Sequence, residues 1–374
     1  MKTHFTKAIR ITVLVIALHA STVAGFCQHL AAFNDHLNHF WAFEAGMFQQ
    51  LEHIEIQEYQ VGGILVAYID NRNNLKIYRN GNVETLMNGA PIRFTATDYL
   101  LGYSLYQQLN VYDNGKTKLL STDCDGYIVR DSLIVWHNQV KKTLQVYYNG
   151  RIITLIDGLL YFPVEDFKAG DNNIAFIHSS TRQFYLYYLG RLQVLDDYAE
   201  ELVYEAGRDI VAYMDVPDQA FYANFRGENF ALETFRPKSF EVGDEMLAYV
   251  DNLGKLKMFE KGEVQTISSY EPQYYSVEDK VLIFEEQGFL KTVCNGKIYI
   301  VERYIPQPMK TDFSTIVYLD QSGFAKAFQR CEPITLSYEK VKEISLYRDL
   351  ILYIEGANKT RIFFNGTVYD YPGI

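Results

Sequence analysis

The sequence predicts an all-β array of about ten stacked four-stranded units, and three observations predict it. A unit of about 36 residues recurs along the 374-residue chain. Asn-Gly recurs at one place in that unit, at Asn80-Gly81, Asn114-Gly115, Asn149-Gly150, Asn295-Gly296 and Asn365-Gly366. The pair is the strongest short hairpin signal, because a type I′ turn needs positive φ at both central residues. Helical periodicity is nearly absent; Glu339 to Leu346 could make one helical turn, but the repeat frame reads it as strand and loop. A unit this short cannot bury both faces of its own sheet, so it must stack on its neighbours.

The copy around Gly262 shows each element in order. Ser239 to Val242 is a first strand, closed by Gly243-Asp244. Met246 to Val250 is a near-continuous apolar run, as expected of a strand covered on both faces. Asp251-Asn252-Leu253-Gly254 is a turn cluster. Lys255 to Glu260 alternates apolar and polar residues, Lys261-Gly262 makes a tight turn, and Glu263 to Ile267 is the fourth strand. The copy with Val66-Ala67-Tyr68-Ile69-Asp70-Asn71 and Leu75 to Gly81 follows the same order. The marking turn falls at Gly46, Gly81, Gly115, Gly150, Gly190, Gly227, Gly262, Gly296, Cys331 and Gly366, with no interval long enough for a linker. The first copy is degenerate and starts at its second strand, with Leu30 to Asp35 and Phe40 to Gly46; the last ends at its fourth, Thr367 to Tyr371. This predicts ten of every strand except the first, of which there are nine. The composition agrees: 30 Tyr and 24 Phe against 2 Trp suit strands with an apolar body and a polar tip near solvent.

Residues 1–27 read as a cleaved signal peptide, leaving 28–374 as the repeat domain. Lys2, Lys7 and Arg10 precede the apolar run Ile11 to Leu18, and Ser21 to Gly25 are mostly small. Cleavage fits after Gly25 or after Cys27. The alternative, a membrane anchor, needs roughly 20 apolar residues, and the run is about half that and is broken by His19. Cys27 raises lipidation, but Phe26 is bulky where such signals carry a small residue. No later stretch is apolar enough to span. The expected location is therefore periplasmic or extracellular. The net charge of −11 becomes more negative once Lys2, Lys7 and Arg10 are removed; such a protein repels phosphate backbones, which argues against a nucleic-acid partner. Cysteine is too sparse for a disulfide framework. Cys294 and Cys331 occupy nearly the same place in successive repeats and either bridge adjacent units or stay as buried thiols.

The order of strands and turns resembles the WD-like blade repeats of the TolB-type periplasmic β-propellers. Those carry Ser-Pro-Asp-Gly at the first turn, where this chain has Val242-Gly243-Asp244 and Ala169-Gly170-Asp171. The resemblance covers nearly all of the mature chain and is one of pattern. It implies four-stranded blades around a central channel and a mostly non-enzymatic, protein-contacting role, and it carries over no site residue. One ring of ten blades exceeds the usual four to eight, although sortilin-like receptors show that such a ring exists. Two five-bladed rings, or an open β-solenoid, are the competing arrangements; the steady spacing favours one assembly.

No catalytic, cofactor-binding or metal residue is assigned. Asp70-Asn71, Asp113-Asn114, Asp171-Asn172 and Asp251-Asn252 place carboxylates in turns, where calcium could bind, but Asp and Asn are also the ordinary turn formers. His29, His36, His39 and His53 cluster near the amino terminus and His137 and His178 lie on strand-like segments, without the spacing of a zinc site. Glu165-Asp166, Asp196-Asp197, Glu200-Glu201 and Glu285-Glu286 are acidic pairs of a kind that could flank a glycosidic bond, but read as solvated surface. Asn358-Lys359-Thr360 and Asn365-Gly366-Thr367 are glycosylation sequons by pattern. Tyr147-Tyr148, Tyr185, Tyr187-Tyr188, Tyr274-Tyr275 and Phe363-Phe364 are read first as packing between blades, and second as surplus rings for a sugar or protein partner.

The functional expectation is a non-enzymatic platform that binds a protein or a cell-surface glycan. The alternative is a propeller-type polysaccharide hydrolase or lyase. A platform predicts aromatic and polar residues on one end; an enzyme predicts Asp, Glu, His or Tyr converging at a channel mouth.

Overall fold

The computed structural model describes residues 29–89, 93–157, 167–199, 201–215 and 219–373. The proposed signal peptide, with Gly25 and Cys27, lies outside them, as do Glu165, Asp166 and Glu200. The described residues form ten antiparallel sheets, each taken from one consecutive piece of chain with its strands in chain order. Nine sheets have four strands; the first has three. The seventh runs Ser239–Val242, Met246–Val250, Leu256–Glu260 and Glu263–Ser268, within a residue of the sequence reading at every boundary. The Glu339 to Leu346 stretch is loop and then strand: Glu339 and Lys340 precede the strand Val341–Tyr347.

Alternation along each second strand sends side chains to opposite neighbours. Met246, Ala248 and Val250 pack toward blade 8 with Leu282 and Phe284. Leu247 and Tyr249 pack toward blade 6 with Ile210 and Phe221. Both faces are therefore apolar, as the continuous run Met246 to Val250 implies. The core is divided accordingly into ten clusters, and each one bridges a single pair of adjacent blades. The tenth joins Ala31, Phe33, Trp41 and Phe43 of the first blade to Leu350, Leu352 and Ile362 of the last. A blade 10–blade 1 cluster exists only if the ring closes once, around all ten. Two five-bladed rings and an open solenoid are thereby excluded.

Among the described residues the joint closes without a strand shared between the two ends. The first blade begins at Leu30–Asn34, which pairs with Phe40–Glu44 and has no inner partner among the described residues. Tyr347, from the inner strand of blade 10, donates its hydroxyl to the Ala32 carbonyl at 2.9 Å. Its oxygen also lies 3.3 Å from the Tyr59 hydroxyl, from the inner strand of blade 2. Tyr347 thus satisfies part of the backbone of the open edge, and Tyr59 bonds Tyr347. On the far side Tyr371 donates to Asp35 Oδ2 at 3.0 Å and packs on Phe33 and Trp41.

Cys294 and Cys331 form a disulfide that ties the outer hairpins of blades 8 and 9. The sequence separation is 37; closing a loop of that size contributes about 3–4 kcal/mol in the chain-entropy account. Cys124 is a buried free thiol.

Candidate functional site

In blades 2 to 10 the inner strand turns back at one end of the channel, the end that also carries the Asn-Gly hairpins. Five of these turns, at Gly62, Thr97, Arg130, Gly170 and Gly243, close with a backbone bond from residue i to i+3. Successive turns touch. A Cβ on Gly170 would stand 1.9 Å from the Gly207 carbonyl oxygen, and one on Gly207 would stand 1.9 Å from that of Gly243. Crowding against backbone, not a special φ, therefore requires glycine here.

The residue beyond the crowded position points into the mouth of the channel. Asp98, Asp131, Asp171, Asp244 and Asp279 line it from that place, with Arg208 and Arg348 taking it in two other blades; Asp312 lines it from one position earlier, where it pairs with Thr315, and Phe313 stands beyond it. The cavity they enclose is about 290 Å³. Bonds run from turn to turn around it. The Asp98 N–H donates to Asp131 Oδ1 at 2.9 Å, the Phe313 N–H to Asp279 Oδ2 at 2.7 Å, and the Arg348 N–H to Asp312 Oδ2 at 2.6 Å. Arg208 reaches three blades: its guanidinium lies 2.6 Å from both Asp131 and Asp171, and 3.4 Å from Asp244. Arg348, from blade 10, pairs with Asp98 of blade 3. The guanidiniums thus bridge blades that are not neighbours, and they hold four of the six carboxylates.

Burial governs the protonation of this mouth. It pushes Asp131 up to about 7, helped by the charge of Asp171. It pushes Asp244 to about 7 against the pull of Arg208. Asp312 also rises to about 7 through burial and a shared proton with Asp279. Burial alone would lower Arg208, but Asp171, Asp244 and Asp131 raise it further. A carboxyl raised from 3.8 in the unfolded chain to about 7 in the fold binds more protons when folded, so stability falls as pH rises between these values. The carboxylates of the Asp-Asn turns act oppositely. Burial raises Asp70, but bonds from Asn74, Lys76 and Arg72 hold it at about 2, so its contribution is present above 3.8 and lost below. The expected outcome is a melting temperature that peaks near pH 4 and declines as the pH rises to about 7. Asp131→Asn with Asp312→Asn should flatten the decline in a thermal-melt series; an unchanged slope would show that the mouth does not carry it.

The opposite end carries the second-to-third-strand turns and the connections between blades. Leu37, Tyr106, Val140 and Leu253 stand exposed in the turns, and Ile54, Tyr198, Phe235, Tyr270 and Tyr338 in the connections. The end with the acidic mouth exposes Tyr99, Leu189 and Phe313.

The residues singled out in the sequence find structural partners. Asp70 and Asp251 each cap their turn and hold a lysine that also grips the preceding blade. Asp251 Oδ1 accepts from the Leu253 and Lys255 N–H groups at 2.9 and 2.8 Å. Its other oxygen lies 3.1 Å from Lys257, which reaches Glu233 of blade 6 at 2.5 Å, where Tyr249 donates as well. Blade 2 repeats this with Asp70, Lys76, Glu52 and Tyr68, and blade 9 with Asp320, Lys326, Glu302 and Tyr318. Asp113 accepts from the Tyr147 hydroxyl, and Asp171 belongs to the mouth.

The histidines do not converge on one point. His29 lies 3.0 Å from Asp349, His39 lies 3.4 Å from Asp35, and His53 bonds Gln50. His36 is exposed, His137 is buried in a second strand, and His178 accepts two turn N–H groups. Among the described residues no three of His, Cys, Asp and Glu are arranged to hold a metal ion. Glu285 and Glu286 bond Gly288, Ser268 and Lys291; Asp196 caps Tyr198, and Asp197 and Glu201 are exposed.

The paired aromatics mostly pack. Tyr147, Tyr187 and Phe363 are buried, Tyr185 stacks on Phe176, and Tyr275 bonds Ser239; Tyr274 is the exposed member. The acidic mouth and the exposed ring of connection residues were missed. A signal for the latter was present: Ile54, Tyr198, Phe235 and Tyr270 each stand eight residues past their hairpin glycine.

No curated protein matches the chain. Among solved structures it is similar to the computationally designed Ika8 protein, at TM-score 0.37 and 10% identity, covering 89% of this chain and 98% of that one. It is similar to Prp20p of Saccharomyces cerevisiae at TM-score 0.33 and 10% identity, covering 61% and 81%. It is also similar to PorZ of Porphyromonas gingivalis, a surface component of the type-IX secretion system, at TM-score 0.31 and 10% identity, covering 85% of this chain and 52% of PorZ. A family model described as the 10-bladed beta propeller domain matches residues 25–369. Ten blades, ten interblade clusters and that match lead to one conclusion: the chain belongs to the 10-bladed beta propeller domain family.

Proposed function

We propose that the protein is a non-enzymatic interaction platform of the periplasm or cell exterior, exported by residues 1–27, which binds a protein or surface glycan. The binding end is the one that carries the interblade connections. The observation behind this reading is the apolar and aromatic set exposed there, above all Tyr198, Phe235, Tyr270 and Tyr338. Rings left in water at recurring positions gain nothing for the fold, and Tyr and Phe are enriched where partners dock. The Cys294–Cys331 bond favours an oxidising compartment. The resemblance of the sequence pattern to TolB-type blades is in keeping with contact between envelope proteins. The test is binding of the labelled mature protein to intact cells of its own species. Phe235→Ser, Tyr270→Ser and Tyr338→Ser together should weaken it at least tenfold while the melting temperature holds. Undiminished binding would end the proposal.

A second reading, a polysaccharide hydrolase or lyase, draws on the mouth. Asp131, Asp244 and Asp312, each near 7, have the affinity that proton transfer at neutral pH requires. Against it, Asp131 and Asp244 are held on Arg208, and Asp312 caps the Arg348 N–H. A turnover screen on polysaccharides decides: activity abolished by Asp131→Asn or Asp312→Asn would replace the platform reading.

A further inference from the structure

The blades depart from their common pattern most clearly at one place on the proposed binding end. A cleft of about 760 Å³ opens there between blades 2, 3 and 4. Sites for small ligands fall at about 300–1,000 Å³. Three local departures shape it. The first is the two-residue turn between Leu100–Leu105 and Gln108–Asp113, which holds Tyr106 at φ 54, a left-handed conformation costly for a bulky side chain. That ring is 83% exposed, so no packing offsets the strain. The second is a bulge in the inner strand of blade 4, between Cys124 and Tyr127. The inner pairs of blades 3 and 5 run without a shift. A bulge re-aims side chains, and this one sets Asp125 and Gly126 in the cleft wall. The third is Arg93, exposed at the start of the inner strand of blade 3, with no ion pair among the described residues. The wall between them is held by backbone, since the Cys124 N–H donates to the Gln107 carbonyl at 2.9 Å.

We infer that this cleft is a binding site for a neutral oligosaccharide, with Tyr106 as the stacking platform and Arg93, Asp125 and Asn73 as partners for sugar hydroxyls. The inference rests on the platform reading and names the ligand class for one part of that end. The chemistry of the wall selects the class. Gln57, Asn73, Gln107 and Ser104 supply both donors and acceptors, as vicinal hydroxyls require. An exposed tyrosine ring presents a flat apolar face to the C–H side of a sugar. Glu58 and Asp125 outnumber Arg93, which disfavours an acidic glycan. A peptide side chain would need an apolar socket, and Ile69, the aliphatic member of the wall, is itself buried. The Cys124 thiol is buried and pushed up to about 11, so the floor offers no nucleophile.

The experiment is saturation-transfer NMR and calorimetric titration of the full mature chain with cellohexaose, chitohexaose, maltohexaose and mannohexaose. At least one should bind. Tyr106→Ala and Arg93→Ala should each weaken that binding tenfold or more, and Tyr106→Phe should preserve it. Tyr106→Gly should raise the melting temperature while losing the sugar, which a purely structural turn would not do. The inference is overturned if none of the four binds, if Tyr106→Ala binds as the parent does, or if the cleft proves to hold a peptide. Cell binding that still depends on Phe235, Tyr270 and Tyr338 would then leave the platform reading standing by itself.

Discussion

Gly207→Ala is expected to abolish the closed ring or to destabilise it by about 4 kcal/mol, in the range reserved for overpacking and backbone clashes. The added methyl would stand 1.9 Å from the Gly243 carbonyl oxygen and 2.9 Å from a Val242 methyl. The first contact is with backbone, so no rotamer change relieves it. Nor can the turn back away, because Gly207 already lies against the turn before it: the Gly207 carbonyl oxygen is what a Cβ on Gly170 would strike. Moving one turn therefore moves the chain of turns, and with it Arg208, whose guanidinium joins Asp131, Asp171 and Asp244. Gly288→Ala is the control. Gly288 has φ 84 and open space around it, so alanine there should cost about 1 kcal/mol from backbone conformation alone. Thermal and urea melts of the two variants give the comparison. A Gly207→Ala protein that melts with the parent would mean that the inner turns are not in contact.

Asp251→Ala is expected to cost about 3 kcal/mol, as the loss of one member of a buried ionic network does. The substitution removes the acceptor of two turn N–H groups and leaves the half-buried Lys257 with one carboxylate instead of two. Its effect crosses a blade boundary, because Lys257 and Tyr249 both hold Glu233 at the end of the preceding outer strand. Asp251→Asn keeps an oxygen for the turn and should cost about half as much, since a neutral acceptor replaces only the hydrogen-bonding part. Equilibrium urea unfolding measures both. If the alanine variant loses less than about 0.5 kcal/mol, the network is ornamental and the turn stands by its own backbone.

How much of this was legible depended on how local the cause was. The strands of blade 7 could be read to within a residue because apolar alternation and a tight turn act within a few positions. That the described part of the first blade starts at its second strand was legible for the same reason: Leu30 to Asn34 matches the second strand of other copies. The acidic mouth was not. Asp131, Asp171, Asp244 and Asp312 each look like an ordinary turn residue, and only the closure of ten turns around one axis makes them neighbours. Their phase was nevertheless available, 18 or 19 residues before each marking turn. Tyr106 was invisible for the opposite reason. Its interest lies in a left-handed backbone and a missing neighbour, and neither leaves a mark in composition or spacing. The two states left open for Cys294 and Cys331 were decided by ring curvature, which sets equivalent hairpins of blades 8 and 9 side by side.

Among the described residues no sheet borrows a strand from a distant part of the chain. Each blade can therefore assemble from local pairings as soon as its own segment is available, which favours rapid formation. The docking of Phe33, Trp41 and Phe43 on Leu350, Leu352 and Ile362 is the step that must wait for the far terminus. Until it happens, the first and last blades each present a greasy flank to water, and that interval is when the polypeptide is most prone to stick to its own copies.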